Sequence, residues 1–97
     1  MYARVATGQV LPGKMDEFIK IYTETQKPIM EQAQGIQSVR LLTDPSNNKA
    51  VAVSIWATDS DARAGGMERS MEDLMKRFEG LMAGTPTFEY YEVSADY

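Results

Sequence analysis

An α+β fold with the element order strand, helix, strand, strand, helix, strand is predicted by three features of this 97-residue sequence. Four short stretches are rich in β-branched and aromatic residues, which favour strands. Two longer stretches place apolar residues three or four positions apart, as on one face of a helix. Clusters of Gly, Pro, Asn and Asp separate these stretches and mark turns. A chain of this length suits one compact domain, so we expect a single domain over residues 1–97.

The first strand and the first helix are predicted near the start of the chain. Tyr2–Val10 is rich in residues that favour strands, and the turn formers Leu11-Pro12-Gly13 end it. Pro28 lacks the N–H that a helix interior uses, so we expect a kink or break between Thr25 and Pro28. Gly35 suits the left-handed conformation that closes a helix. The apolar face of this helix consists of Met15, Phe18, Ile19 and Tyr22, and it resumes at Ile29, Met30 and Ala33.

A hairpin of two strands follows the first helix. Ile36–Thr43 forms one arm, and DPSNN at 44–48 supplies turn formers but lacks the terminal acid of a calcium loop. Lys49–Ala57 forms the other arm and contains the only tryptophan, Trp56. Its lack of polar alternation predicts a strand that is buried on both faces. Alternation directs Val51, Val53 and Ile55 to one face and Ala52, Ser54 and Trp56 to the other.

The second helix is predicted to begin near Asp59 and to extend to Gly84 and Pro86. Thr58 and Asp61 have the spacing of a capping box at its start. Gly65-Gly66 weakens the helix and predicts a bend, because glycine loses much conformational entropy in a helix. The last strand is predicted at Thr87–Val93. The apolar stripe of the second helix consists of Met67, Met71, Leu74, Met75, Phe78, Leu81 and Met82.

This element order is the ferredoxin-like arrangement, in which four strands form one antiparallel sheet. The first and third strands are expected at the centre, with both helices on one face. The other face would expose Val51, Val53 and Ile55 together with apolar neighbours. We therefore expect a second copy of the chain, related by a two-fold axis, to cover that face in a homodimer.

Composition excludes several classes of function. The chain has no Cys and no His, which excludes disulfides, thiolate nucleophiles, His-based triads, ordinary zinc sites and His-ligated haem. The net charge of -4 carries no basic patch, so we expect no nucleic-acid partner. No apolar run reaches the roughly 18 to 20 residues that cross a bilayer, and the first ten residues resemble a strand. We expect a cytoplasmic protein with no membrane partner and no metal.

The sequence resembles the antibiotic biosynthesis monooxygenase family of the dimeric α+β barrel superfamily. The resemblance rests on LPGKMDEFIKIY, AQGIQSVRLLTD, VAVSIWATDSDA and FEYYEVS, which together span most of the chain. It implies a dimeric α+β barrel. The family includes enzymes that oxidise quinols or polycyclic phenols with dioxygen and no bound cofactor, haem-degrading enzymes, and many members without known activity. The haem-degrading members use an asparagine on the first strand and a histidine on the second helix. Neither residue is present here, and Ala52 stands where phenol-oxidising members have an asparagine.

Trp56 matches the strand-end tryptophan that borders the substrate cavity in the family's oxygenases. The alternative is that Trp56 is a core residue, and both interpretations hold if core side chains line a pocket. The expected substrate-binding residues are Trp56, Tyr22, Met67 and Met71, and no catalytic residue or cofactor is assigned. Two functions remain open. One is a cofactor-independent monooxygenase acting on a small aromatic, phenolic or quinone-type compound, and the other is a non-catalytic, ligand-binding or stress-related homodimeric module.

Overall fold

The structure, a computed structural model, describes residues 1–64 and 76–97, apart from the side chain of Ile29. The predicted element order is confirmed. The elements are β1 (Tyr2–Gln9), α1 (Met15–Gln32), β2 (Ile36–Asp44), β3 (Lys49–Trp56), α2 (Asp59–Ala64) and β4 (Thr87–Glu92). A short 3-10 turn, Pro45–Asn47, joins the arms of the predicted hairpin.

The four strands form one antiparallel sheet in the order β2-β3-β1-β4. The first and third strands are therefore central, as the sequence predicts. Val5 is paired with Val53 on one side and with Glu89 on the other. This register fixes which side chains share a face, because alternate residues of neighbouring strands project together.

The two faces of the sheet differ in burial, as the alternation in β3 predicts. Ser54 and Trp56 are buried, whereas Val51, Val53 and Ile55 on the opposite face are only partly buried. In the single chain β3 is thus covered mainly on the helix side, where Ala52 is also only partly buried. The buried core has two parts, which are Val10, Met15, Phe18, Ala50, Phe78 and Leu81, and a Trp56 cluster of Trp56, Met30 and Ala62.

The predicted break in the first helix is wrong, because α1 runs through Pro28 without interruption. The carbonyl that lost its helical partner belongs to Glu24, four residues earlier, and Glu24 is exposed, so water can bond there. Two residues later, Met30 is buried in the Trp56 cluster. Burial of a large apolar side chain contributes about 1.5 to 3 kcal/mol, which helps to offset the proline penalty of about 3 kcal/mol.

The predicted end of the second helix is also wrong. Beyond the undescribed segment only residues 76 and 77 are helical, and 78–81 form a turn. Gly80 lies in the left-handed region at φ 83° and redirects the chain. Backbone bonds then join Leu11 N to Leu81 O at 2.8 Å and Ala83 N to Gln9 O at 2.7 Å. Leu81 and Met82 therefore lie after the end of the helix, and their apolar side chains pack beside the end of β1.

The start of α2 agrees with the predicted cap. Thr58 Oγ1 accepts a hydrogen bond from the Asp61 N–H at 3.1 Å. This bond satisfies one of the backbone donors that a helix leaves unpaired in its first turn. The cap fixes the direction in which the chain leaves the Trp56 end of β3.

Gly35 closes the turn between α1 and β2 at φ 79°, and its carbonyl accepts the Ala57 N–H at 2.8 Å. A β-carbon at Gly35 would collide with the side chain of Asp61. We expect Gly35→Ala to lower the free energy of unfolding by about 2 to 4 kcal/mol, since backbone strain and overpacking add.

Gly13→Ala is the matched control, since Gly13 has φ 80° and open space around the position of a β-carbon. It should cost only the backbone term of about 1 to 2 kcal/mol. Urea unfolding of both variants measures the difference. Equal losses in the two variants would contradict the clash with Asp61.

Candidate functional site

Trp56 lies at the end of β3 and is completely buried, with 0% of its surface exposed. Its indole Nε1–H donates a hydrogen bond to Ser54 Oγ at 2.8 Å. The ring packs against Met30 of α1 and Ala62 of α2. Trp56 therefore connects both helices to the sheet, which is the role expected of a large core residue.

Arg4 is a buried cation beside this tryptophan, and only 7% of its surface is exposed. Its guanidinium carbon lies 5.2 Å from the centre of the Trp56 ring, within the range of a cation–π contact. Burial lowers the pKa of Arg4, while the electrostatic influence of Tyr90 and of Tyr22 acts in the opposite direction. Arginine remains charged throughout the physiological pH range. The helix side of the sheet thus contains a fixed positive charge.

Tyr22 projects from α1 into an aromatic group with Phe18 and Phe78. The ring centres of Phe18 and Phe78 lie 5.0 Å apart, and the Tyr22 and Phe78 rings are stacked at 6.5 Å. Burial raises the pKa of the Tyr22 hydroxyl, and the charge of Arg4 partly opposes this shift. At neutral pH the hydroxyl is therefore protonated and can donate a hydrogen bond.

The first cavity lies between α1 and β2 and has a volume of about 430 Å³. Successive turns of α1 contribute Tyr22, Gln26 and Met30, whose spacing of four places them on one helical face. The wall on β2 includes Ile36, Val39 and Leu41. This half-open cavity has a mainly apolar surface, although Lys27 and Glu31 on α1 and Gln37 and Ser38 on β2 also border it.

The second cavity, of about 270 Å³, lies between the sheet and the aromatic side chains Phe18 and Phe78. Small residues leave this space open, since Ala6 is paired with Ala52 and Gly8 with Ala50 on the central strands. Tyr22 and Leu41 line both cavities. Ala52, where the family resemblance implies an asparagine, thus faces a cavity but carries only a methyl group.

Gln26 is the buried polar residue on the wall of the first cavity, with 6% of its surface exposed. Its Nε2 is inaccessible to solvent and has no hydrogen-bond partner within the described structure. Buried amide donors nearly always have a partner. Gln26 is consequently an unusual feature that the sequence analysis did not identify.

The structure locates two of the four predicted site residues. Tyr22 lines both cavities. Trp56 lines neither of them and lies in the core cluster. Met30 belongs to that cluster and also lines the first cavity. Met67 and Met71 lie outside the described residues. The composition of a substrate site therefore remains a prediction.

The described ranges contain neither a grouped set of metal ligands nor a membrane-spanning helix. No three His, Cys, Asp or Glu side chains within 1–64 and 76–97 are grouped so that they could hold a metal ion. No helix in those ranges is both long enough and apolar enough to cross a bilayer. The Asp44 carboxylate instead accepts hydrogen bonds from Ser46 and Asn47 at 2.7 Å, as expected for a turn.

The buried hydroxyl of Tyr22 predicts a loss of stability in alkali. Its folded-state pKa lies above the unfolded value of about 10, so its contribution is complete below that value and is lost as pH rises through the folded-state pKa. Urea unfolding at about pH 8 and about pH 11 should show a smaller alkaline loss for Tyr22→Phe than for the wild type. Tyr97→Phe, at a fully exposed tyrosine, is the control. Identical losses in wild type and Tyr22→Phe would contradict the prediction.

The sequence of the chain matches one known protein family. Residues 1–65 match the family model described as antibiotic biosynthesis monooxygenase. The matched segment includes Tyr22, Gln26 and Trp56. A search of curated protein sequences found no match to this chain.

Solved structures share the fold over nearly the whole chain. A monooxygenase from the gene ActVA-Orf6 of Streptomyces coelicolor, in complex with the ligand nanaomycin D, has a TM-score of 0.79 at 16% identity, covering 99% of this chain and 90% of that one. SnoaB, a cofactor-independent oxygenase from Streptomyces nogalater, has a TM-score of 0.77 at 14% identity, covering 98% and 94%. A protein of unknown function from Nitrosomonas europaea has a TM-score of 0.82 at 16% identity, covering 99% and 91%. At these identities the likeness establishes a common fold.

Proposed function

Because the chain belongs to the antibiotic biosynthesis monooxygenase family, we propose that it is a cytoplasmic, homodimeric, cofactor-independent monooxygenase. The proposed substrate is a small aromatic, phenolic or quinone-type compound. Residues 1–97 would act as one domain, and the substrate would lie between α1 and the sheet beside Tyr22. The similar oxygenase SnoaB is itself described as cofactor-independent, which supports this choice.

The observation that carries the proposal is the pair of cavities that share Tyr22 and Leu41. A volume of about 430 Å³ lies within the range of roughly 300 to 1,000 Å³ that is typical of small-molecule sites. The walls are mainly aliphatic and aromatic, which suits a planar apolar ring. The Tyr22 hydroxyl supplies a donor that can orient a phenolic or quinone oxygen.

The proposed chemistry uses the electron-rich anion of the substrate as the reductant of dioxygen. In the conversion of a phenol to a quinone, the ring carbon loses hydrogen and gains one oxygen atom as a carbonyl. The second oxygen atom leaves as water with the two hydrogens that the substrate gives up. The chain would exclude water, hold the ring and stabilise the anion through Tyr22 and the nearby charge of Arg4.

Oxygen uptake with a panel of quinols and phenols tests the proposal. We expect consumption above the buffer background, and a roughly tenfold lower rate in Tyr22→Phe from the loss of one hydrogen bond of about 1.4 kcal/mol. Tyr97→Phe, at an exposed position, should retain the wild-type rate. Uptake equal to the background for every compound would contradict catalysis.

The second candidate function is a binding module that holds the same class of compound without turnover. It is favoured by Trp56, whose only N–H already donates to Ser54, and by Ala52, which carries no polar group. Neither residue can therefore exchange a proton with a ligand in the cavity. Saturable binding without oxygen uptake would favour this module.

The proposed homodimer would form through the open face of the sheet, opposite the helices. Val51, Val53 and Ile55 are partly exposed there, and Leu42 on β2 is half-exposed. A depression of about 280 Å³ on this face is lined by Val53 and Ile55, among others. Burying such apolar side chains against a matching surface is favourable. A two-fold axis would place the same face of a second copy of the chain against this one.

A further inference from the structure

We propose that Gln26 recognises the ligand, donating a hydrogen bond from its side-chain amide to a carbonyl-type oxygen held in the first cavity. This inference rests on the proposed function, because it assumes that a small aromatic compound occupies the site. It adds a specificity residue and a requirement for a hydrogen-bond acceptor. Gln26 is thus assigned a role in selecting oxygen-bearing rings over plain hydrocarbons.

The position of Gln26 supports this role. It lies one helical turn after Tyr22 and one turn before Met30, and all three residues line the first cavity. Apolar side chains of β2 face it across the cavity. A planar compound packed against those side chains would bring its oxygen to the helical wall. Gln26 Nε2 is inaccessible to solvent in the free protein, so the proposed bond requires a rotation about the terminal torsion, which is broad in glutamine.

The second observation is that Gln26 Nε2 has no hydrogen-bond partner among residues 1–64 and 76–97. A buried donor without a partner destabilises the fold, because the group has lost its hydrogen bonds to water. An apolar residue of the same size would avoid that loss. A bound ligand oxygen would accept a hydrogen bond from this donor. Binding would then remove the cost of the unpaired donor, which adds to the affinity.

The chemistry of the amide defines the class of ligand. A side-chain N–H₂ is neutral and donates, so it suits a carbonyl or phenolate oxygen. The hydrocarbon part must tolerate Met30, Ile36 and Val39, which offer no hydrogen bonds through their side chains. A bicyclic ring with carbonyl oxygens meets both requirements, whereas the same ring without oxygen meets only the second.

The test compares 1,4-naphthoquinone with naphthalene, which share one ring system and differ in the carbonyl oxygens. Because the chain contains no Cys, the quinone cannot form a thiol adduct. Dissociation constants are measured by ligand-detected NMR for the wild type, Gln26→Met and Gln32→Met. Methionine matches glutamine in length and helix propensity, and Gln32 is an exposed glutamine on the same helix.

In Gln26→Met we expect a roughly three- to tenfold weaker affinity for naphthoquinone, with unchanged affinity for naphthalene. Gln32→Met should bind both probes as the wild type does. Wild-type affinity for naphthoquinone in Gln26→Met would overturn this inference but leave the proposed function intact. If the wild type bound neither probe, both proposals would be overturned.

Thermal unfolding without ligand provides an independent readout. A buried amide that is unpaired without ligand lowers the stability of the free protein, so Gln26→Met should raise the Tm by a few degrees. An amide that stabilises the fold through a trapped water would give the opposite sign. A lower Tm in Gln26→Met, with no change in Gln32→Met, would therefore overturn the assignment.

Discussion

Replacing Trp56 with alanine is expected to lower the free energy of unfolding by about 3 to 5 kcal/mol. The indole is fully buried between the sheet and both helices, so truncation leaves a cavity that Met30 and Ala62 cannot fill. It also removes the donor to Ser54 Oγ and the ring beside the buried charge of Arg4. A typical domain has a total stability of about 5 to 15 kcal/mol, so a large part of it would be lost.

Urea unfolding followed by circular dichroism measures this loss, because the variant has no tryptophan fluorescence. Protein concentration must be held constant, since association would add to the apparent stability. Trp56→Phe keeps an aromatic ring and should lose less, while Tyr97→Ala at an exposed site should change stability by less than about 0.5 kcal/mol. A loss for Trp56→Ala as small as that for Tyr97→Ala would contradict its core role.

Replacing Val53 with glutamate is expected to convert the proposed dimer to a monomer. Val53 is paired with Val5 near the middle of the open face. A two-fold interface would bury the new carboxylate twice, once from each subunit. Burying a carboxylate costs several kcal/mol. Arg40, which lies opposite Val53 on β2, offsets only part of this cost, so the dissociation constant should rise at least about tenfold.

Sedimentation velocity over a range of concentrations measures this change. Gln32→Glu adds the same carboxylate at an exposed position on α1 and should leave association unaltered. Circular dichroism establishes whether the Val53→Glu subunit stays folded after dissociation. A wild type that sediments as a monomer at micromolar concentration would contradict the dimer itself.

Alternation and turn chemistry were sufficient to predict most of the fold. In Lys49–Ala57, side chains two residues apart share a face, and the structure buries Ser54 and Trp56 while leaving Val51, Val53 and Ile55 partly exposed. The turn formers at 44–48 occupy the hairpin turn, and Asn48 adopts a left-handed conformation there. Such features depend on residues that are close together in the sequence, so they can be predicted from the sequence alone.

The two errors arose where tertiary contacts override local signals. Pro28 predicts a helix break, but the exposure of Glu24 and the burial of Met30 permit a continuous helix. Leu81 and Met82 continue the helical spacing of apolar residues, but they pack beside the end of β1 after Gly80 has turned the chain. Apolar spacing reports burial, and it does not establish the conformation in which a residue is buried.

The candidate site was only partly visible in the sequence. Tyr22 is among the substrate-binding residues expected from the sequence, and it lines both cavities. Arg4 and Gln26 were missed, because their residue types are usually exposed. Arg4 had one available signal, since Tyr2, Arg4 and Ala6 alternate towards the helices. Gln26 shares the helical face of Tyr22 and Met30, but only the structure shows that its Nε2 has no partner in the part of the chain that is described.

The central position of β1 has a consequence for biosynthesis. Tyr2 is paired with Trp56 on one side and with Glu92 on the other, so a strand made early by the ribosome receives its last partner late. The β2–β3 hairpin can form as soon as its own residues emerge, because its contacts are local. Until β3 and β4 have been synthesised and have paired with β1, both edges of β1 are open to strands of other nascent chains. The rate of translation would therefore determine how long the edges of β1 stay without their partner strands.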